Sequence, residues 1–254
     1  MSGHTVEAPM PMPHAMSRRQ LLAAAAAAPF ASAAGNSAHS ARSADTTFVL
    51  LHGAWHGGWC WSKLAPLLQA KGYRVLTPTL TGLGEPAHLL GPEVDLERVA
   101  LVGHSYGGMV IAEAAARVVP RVSQLIYLDA FLPDSGKALR DYAPVPPTRS
   151  DGWRIPPPGP PSSFGVTDSH DAMWMTSRIG DQPLKTFTQA VPASATNSAV
   201  ARQRFVQCTN APFFAEAGQR AQRLGFEYRT LFPAGHDAMI TEPVALAEIL
   251  GGLL

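Results

Sequence analysis

An excess of charge of either sign is missing from this chain. Its Lys and Arg number 20 against 19 Asp and Glu, a formal net charge of +1 at pH 7. No basic or acidic run occurs, so nothing points to a nucleic-acid or anionic membrane partner. Cysteine is scarce. Cys60 and Cys208 are too few for a disulfide framework or a cysteine metal cluster. They read as two buried free thiols, although an oxidising compartment would permit a bridge. A membrane span is missing too. The apolar stretch LLAAAAAAPFASAA has about 14 residues where a bilayer needs about 20. It follows SRRQLL, a twin-arginine pattern, and ends in small residues with A-x-A character. Residues 1–34 therefore read as a Tat-type signal peptide, 35–46 as a linker, and the mature protein as periplasmic or secreted. A disordered Ala-rich leader is the alternative.

About 220 residues remain, enough for one domain with a sizeable core. TFVLL at 47–51 has no polar face, as a parallel strand buried on both sides requires. A helix over 59–70 follows, then a strand in YRVLTPTL, a third in RVALVG and a helix from Gly107 to Val119 that Pro120 stops. VSQLIYLDAF, QRFVQC and FEYRTLF are further strands, with helices near 213–224 and in EPVALAEILGGLL. The order predicts an α/β domain over 47–254, about six mostly parallel strands flanked by helices. Residues 133–200 break the alternation. Their proline density rules out a central strand, yet they carry Trp153, Phe164 and Trp174. A linker has no need of these, so the segment reads as a cap inserted after the strand that follows the serine turn. With Trp55, these three aromatics are the expected lining of a substrate pocket.

GHSYGG at 103–108 lies between a strand and a small-residue helix. In that setting a serine between glycines is a nucleophile on a tight turn, with Ser105 Oγ lifted above the carboxyl ends of the strands. The Tyr106 amide then lies unpaired at a helix N-terminus. HGAWHGG after the first strand lets backbone approach a ligand, and the Ala54 amide is the second oxyanion donor expected. His236, after the last strand, is placed to take the Ser105 proton and pass it to a leaving alcohol. The acid is less direct. FVQCTNAPFF after the strand before last offers Asn210 but no carboxylate. Asp129, at the end of LIYLD, ranks first. Its pairing with the imidazolium is expected to lower the carboxyl pKa. Asp134 at the cap hinge ranks second. Asp237, which is adjacent to the base and expected to point away from it, ranks third.

FVLLHGAWHGGWCW, LTGLGEPAHLL, GHSYGGMVI and GHDAMITEP together resemble the α/β-hydrolase superfamily. More narrowly, they resemble the group holding plant methyl-ester esterases, hydroxynitrile lyases and bacterial esterase-like proteins. The resemblance runs from about Thr47 to Leu254. It implies a Ser-His-acid triad at Ser105 and His236, an oxyanion hole at Ala54 and Tyr106, and no metal or organic cofactor. In the plant members the acid follows the strand before last, whereas relatives resembling haloalkane dehalogenases carry it at the position of Asp129. A second departure is the crossover before the nucleophile strand, residues 81–97, where the family's helix looks shortened or missing. One sheet face would then be thinly covered by Leu89, Leu90, Val94 and Leu96, a surface through which a dimer could form. The function expected is hydrolysis of small apolar or aromatic carboxylic esters through an acyl-enzyme on Ser105. A hydroxynitrile lyase or a non-catalytic small-molecule binder are the alternatives. Lyases of this kind tend to carry a cap lysine near the base, and the cap lysines here are Lys137 and Lys185.

Overall fold

The computed structural model describes residues 46–80, 98–117, 121–196 and 202–254. The signal-peptide reading of 1–34, most of the 35–46 linker and the 81–97 crossover, with its proposed dimer face, lie outside the described residues.

Apolar runs without a polar face became strands covered on both sides. In chain order the strands are β1 (Thr47–Leu51), β2 (Arg74–Leu76), β3 (Val99–His104), β4 (Val122–Leu128), β5 (Arg154–Ile155), β6 (Gln182–Pro183), β7 (Gln203–Cys208) and β8 (Glu227–Leu231). The α-helices are α1 (Ala65–Ala70), α2 (Gly107–Arg117), α3 (Ser169–Thr176), α4 (Lys185–Thr188), α5 (Ala215–Arg223), α6 (Ala238–Thr241) and α7 (Pro243–Gly252). Six strands form one sheet in the order β2-β1-β3-β4-β7-β8, and every pairing is parallel. Side chains alternate between its faces. Phe48, Leu50, Val102, Ile126, Leu128 and Val206 meet Leu68 of α1 and Leu246 and Leu250 of α7. Val49, Leu51, Leu101, Leu125, Tyr127 and Phe205 meet Ile111 and Ala115 of α2 and Ala221 of α5. Each large apolar side chain of this kind, fully buried, contributes about 1.5–3 kcal/mol.

Element boundaries differ from expectation where glycine and proline act locally. The helix expected over 59–70 is a 3-10 turn, Gly58–Trp61, followed by α1. Pro66 at the first turn of α1 lacks an N–H, which suits a helix start. β2 stops at Leu76 because Pro78 cannot donate to a ladder.

The proline-rich segment is a folded cap, described as far as residue 196. It contains 3-10 turns at Leu139–Asp141 and Pro161–Phe164, the antiparallel pair β5–β6, and helices α3 and α4. Asp168 caps α3 by accepting the Asp171 N–H at 3.0 Å. Leu139, Ile155, Phe187 and Val191 pack on Met109 of α2, so the cap sits over the carboxyl edge of the sheet.

Candidate active site

Ser105 follows β3 in the left-handed region, with φ +54°. A serine is held there only when its surroundings enforce it. The glycines around it show how tight the turn is. A Cβ at Gly103 would lie 2.5 Å from the Gly107 carbonyl oxygen, and one at Gly107 would lie 2.6 Å from the Leu51 carbonyl oxygen. The Ser105 N–H donates to the Leu128 carbonyl at 3.3 Å, and its own carbonyl accepts from Gly108 and Phe131.

Asp129 stands one strand over, just past the end of β4, also left-handed at φ +42°. Its Oδ2 accepts from His236 Nδ1 at 2.7 Å, while Oδ1 accepts from Gln207 Nε2 at 2.9 Å and the Cys208 N–H at 3.3 Å. Burial nevertheless pushes the carboxyl up from its ordinary value, against the pull of His236 and the Cys208 amide. His236 lowers the carboxyl pKa in the expected direction, but loss of water outweighs it. With Nδ1 donating to Asp129, His236 keeps a lone pair on Nε2. Its ring stacks on Phe214, centroids 5.0 Å apart and planes 9° apart. Asp134 is half exposed and pairs with Arg220 at 2.6 Å. Asp237 turns away from His236 to His56.

The Ala54 and Tyr106 amides donate no hydrogen bond among the described residues. Both residues line one cavity with Ser105 and His236. Around Ala54 the loop is pinned from several sides. His52 Nδ1 lies 2.8 Å from the Gly53 carbonyl oxygen, which can only accept, so Nδ1 carries the proton. Its Nε2 accepts the Leu80 N–H at 3.0 Å. Burial, against the Gly53 hydrogen bond, holds the pKa of this neutral ring down at about 4. His56 Nδ1 donates to the Ala54 carbonyl at 2.7 Å and Nε2 donates to Asp237 Oδ2 at 2.9 Å. The Trp55 N–H donates to Gln182 Oε1 of the cap at 2.8 Å.

The cavity measures ≈ 480 Å³ and is walled by Trp55, Phe131, Phe164, Phe187, Phe213, Phe214 and four prolines. Among the described residues no Lys, Arg, Asp or Glu lines it. Two expected wall residues require correction. Trp153 is 56% exposed, with Arg154 over its ring, because β5 turns it outward. Trp174 packs edge-on against Trp59 at 5.2 Å and under Arg178, outside the cavity. Trp55 and Phe164 do line it. The cap lysines Lys137 and Lys185 do not. Gly165 and Gly235 meet back to back: a Cβ on either would lie 2.7 Å from the other's Cα. Beside them the Asp237 N–H donates to the Phe164 carbonyl at 2.9 Å, so the cap and the His236 loop touch directly.

Ligand atoms of His104, His236 and Asp237 lie within 4.8 Å of one another, close enough to share a cation. Each residue makes a hydrogen bond, although His104 Nδ1 and Asp237 Oδ1 have no hydrogen-bond partner among the described residues. His104 Nε2 donates to the His236 carbonyl at 3.0 Å, Asp237 Oδ2 accepts from His56, and His236 Nδ1 faces Asp129.

A family model described as "Alpha/beta hydrolase family" matches residues 48–249. The chain belongs to the alpha/beta hydrolase family. This hydrolase is 37% identical over 241 residues to a carbendazim hydrolyzing esterase of Nocardioides sp. (strain SG-4G), covering 81% of this chain and 98% of the relative. It is 39% identical over 106 residues to methylesterase 1 of Arabidopsis thaliana, covering 35% of this chain and 40% of that protein. An extracellular alpha/beta-hydrolase from a Paenibacillus species shares the fold, with TM-score 0.67 and 20% identity over 82% of this chain and 98% of that one. The protein is a carboxylic-ester hydrolase of the serine type, and the lyase reading is not favoured. No helix among the described residues is long and apolar enough to cross a membrane.

The residues missed in the sequence are of two kinds. Phe131, Phe187, Phe213 and Phe214 form walls that only the tertiary fold assembles. His56 was missed as the partner, 181 positions away, of the Asp237 that was expected to point away from His236; its sole signal was a second histidine in the glycine-rich loop.

Proposed function

We propose that Ser105, His236 and Asp129 hydrolyse esters of small, neutral, aromatic or apolar compounds. The observation that carries this is the 2.7 Å Asp129–His236 pair opening onto the same apolar cavity as the strained Ser105. Ser105 Oγ attacks the ester carbonyl as its proton passes to His236 Nε2. The Ala54 and Tyr106 N–H groups receive the oxyanion, and Asp129 faces the imidazolium. Collapse expels the alcohol, which takes the proton from His236. Water then enters, gives a proton to His236 and attacks the acyl carbon. The second collapse releases the acid and returns the proton to Ser105 Oγ.

A cavity without a lysine or arginine offers a substrate carboxylate no counter-ion, which supports neutral substrates. Carbendazim, named for the Nocardioides relative, is a first compound to try. The export reading belongs here as well. SRRQLL and its short apolar run support Tat passage to the periplasm or beyond, in company with an extracellular neighbour of the same fold. The test is a fluorophosphonate probe followed by peptide mass spectrometry. Label is expected on Ser105, and Ser105→Ala should lower ester turnover by about 10⁴-fold or more. Label elsewhere, or near-normal turnover by the variant, overturns the assignment.

A further inference from the structure

A histidine and an aspartate sit behind the site without touching the cavity. His56 and Asp237 are 1% and 0% exposed. The pair joins two segments that the proposed reaction must hold in register. On one side His56 Nδ1 donates to the Ala54 carbonyl, in the residue whose amide is the proposed oxyanion donor. On the other, Asp237 immediately follows the base His236, and its N–H is anchored to the cap at Phe164. Successive carbonyls of the loop are therefore each held by an imidazole N–H: Gly53 by His52 and Ala54 by His56. A trans peptide directs its carbonyl and N–H oppositely, so the His52 bond to the Gly53 carbonyl fixes where the Ala54 N–H points, and the His56 bond to the Ala54 carbonyl fixes the next peptide, whose Trp55 N–H donates to the cap.

We infer that the buried His56–Asp237 pair is a positioning device that fixes the peptide following the Ala54 donor and ties this loop to the loop of His236. This rests on the proposed roles of Ala54 and His236. A truncated buried pair leaves an unpaired charge, so a purely structural role would show itself as lost stability alone. A positioning role shows in turnover.

The device has a protonation requirement. His56 donates from both ring nitrogens, so it works as an imidazolium. The groups facing it are Asp237 at 2.9 Å, His104 with ring centroid at 6.4 Å, His52 on the same loop, and the Trp59 and Phe164 rings. Burial disfavours its charge, but the charge and hydrogen bond of Asp237 and the Ala54 carbonyl hold its pKa above the ordinary value. The sign follows: the device is intact at low and neutral pH and is lost as pH rises through the raised value. Removing Asp237's charge brings that loss to lower pH.

The experiment compares wild type, Asp237→Leu and the double variant His56→Asn/Asp237→Leu at equal folded fraction. Leucine, unlike asparagine, cannot donate to the Nε2 of a neutral His56 and so cannot rebuild the pair. In Asp237→Leu, kcat should fall about tenfold to hundredfold, below the cost of deleting an oxyanion donor, with KM nearly unchanged. The alkaline limb of its kcat profile should move to lower pH. In the double variant the asparagine that replaces His56 can still donate to the Ala54 carbonyl without titrating, so much of kcat should return. Unchanged kcat and pH limb in Asp237→Leu overturn the inference, as does lower stability with an unmoved limb. Should that variant fail to fold, ¹⁵N spectra of wild-type histidines decide: His56 must carry both ring protons at pH 7.5, and a neutral ring overturns the inference. Fluorophosphonate labelling of wild type keeps the two ideas apart, because its failure at Ser105 sinks the triad and leaves the His56 spectrum untouched.

Discussion

Acidifying the protein from pH 7.5 to 5 should weaken its fold through His52. Both nitrogens of this ring are committed in the neutral form, Nδ1–H to the Gly53 carbonyl and the Nε2 lone pair to the Leu80 N–H. A second proton would sit on Nε2 against a donor, so the folded protein resists it, with the pKa down at about 4 against 6.5. The unfolded chain takes that proton freely. A group with a depressed folded pKa contributes stability above the unfolded value that is lost as pH falls toward the folded one. Here the window runs from 6.5 to about 4. At about 1.4 kcal/mol per unit, the full loss is about 3.4 kcal/mol, and about 2 kcal/mol of it has developed by pH 5. His104, also held well below its ordinary value by burial and then by His236, acts in the same direction. His56 acts in the opposite one. The measurement is therefore a difference. Urea unfolding followed by tryptophan fluorescence is run on wild type and His52→Gln at both pH values. The glutamine introduced there can accept the Leu80 N–H and cannot titrate. Wild type should lose about 2 kcal/mol more than the variant over the interval. Curves parallel to within about 0.5 kcal/mol would refute the reasoning.

Two further outcomes are expected. Asp129→Asn keeps the geometry but favours the wrong His236 tautomer, so turnover should fall about 10³- to 10⁴-fold, whereas Asp134→Asn, which disturbs a half-exposed pair with Arg220, should cost less than about tenfold. Steady-state kinetics at equal folded fraction check both, and an inactive Asp134→Asn beside an active Asp129→Asn would reverse their roles. Export should remove residues 1 to about 34, which intact-mass spectrometry of periplasmic material reads directly; a chain retaining Met1 there contradicts the leader assignment.

Much of this molecule could be read from its residues because its sheet strands are mostly buried on both faces. TFVLL and VALVGH carry no amphipathic pattern to mislead, and each is buried throughout. The turn at Ser105 was legible for a similar reason: Gly103 and Gly107 are small because backbone oxygens press on them. Legibility failed where placement depends on distant partners. Trp153 and Trp174 carry the same aromatic signal as Trp55, yet only Trp55 faces the cavity, tied inward by its N–H to Gln182 and its Nε1 to the Ile155 carbonyl at 3.1 Å. Nothing local to residues 153 or 174 encodes that difference. The lowering of Asp129's pKa by His236 was legible from sequence, whereas the larger rise from lost water was not, because burial is a property of the assembled fold.

The contact between Gly165 and Gly235 bears on how this enzyme could be re-engineered. Cap turns are natural targets for randomisation, since they change a pocket without touching the chemistry. Here the cap turn and the His236 loop share one backbone-to-backbone seam with no room for a methyl group. A library that varies 162–165 freely will retain glycine at 165 in its active members. A cap transplanted from another hydrolase will have to bring its own counterpart of 235–237 with it. The pocket wall at Phe164 and the placement of His236 are inherited as one cassette.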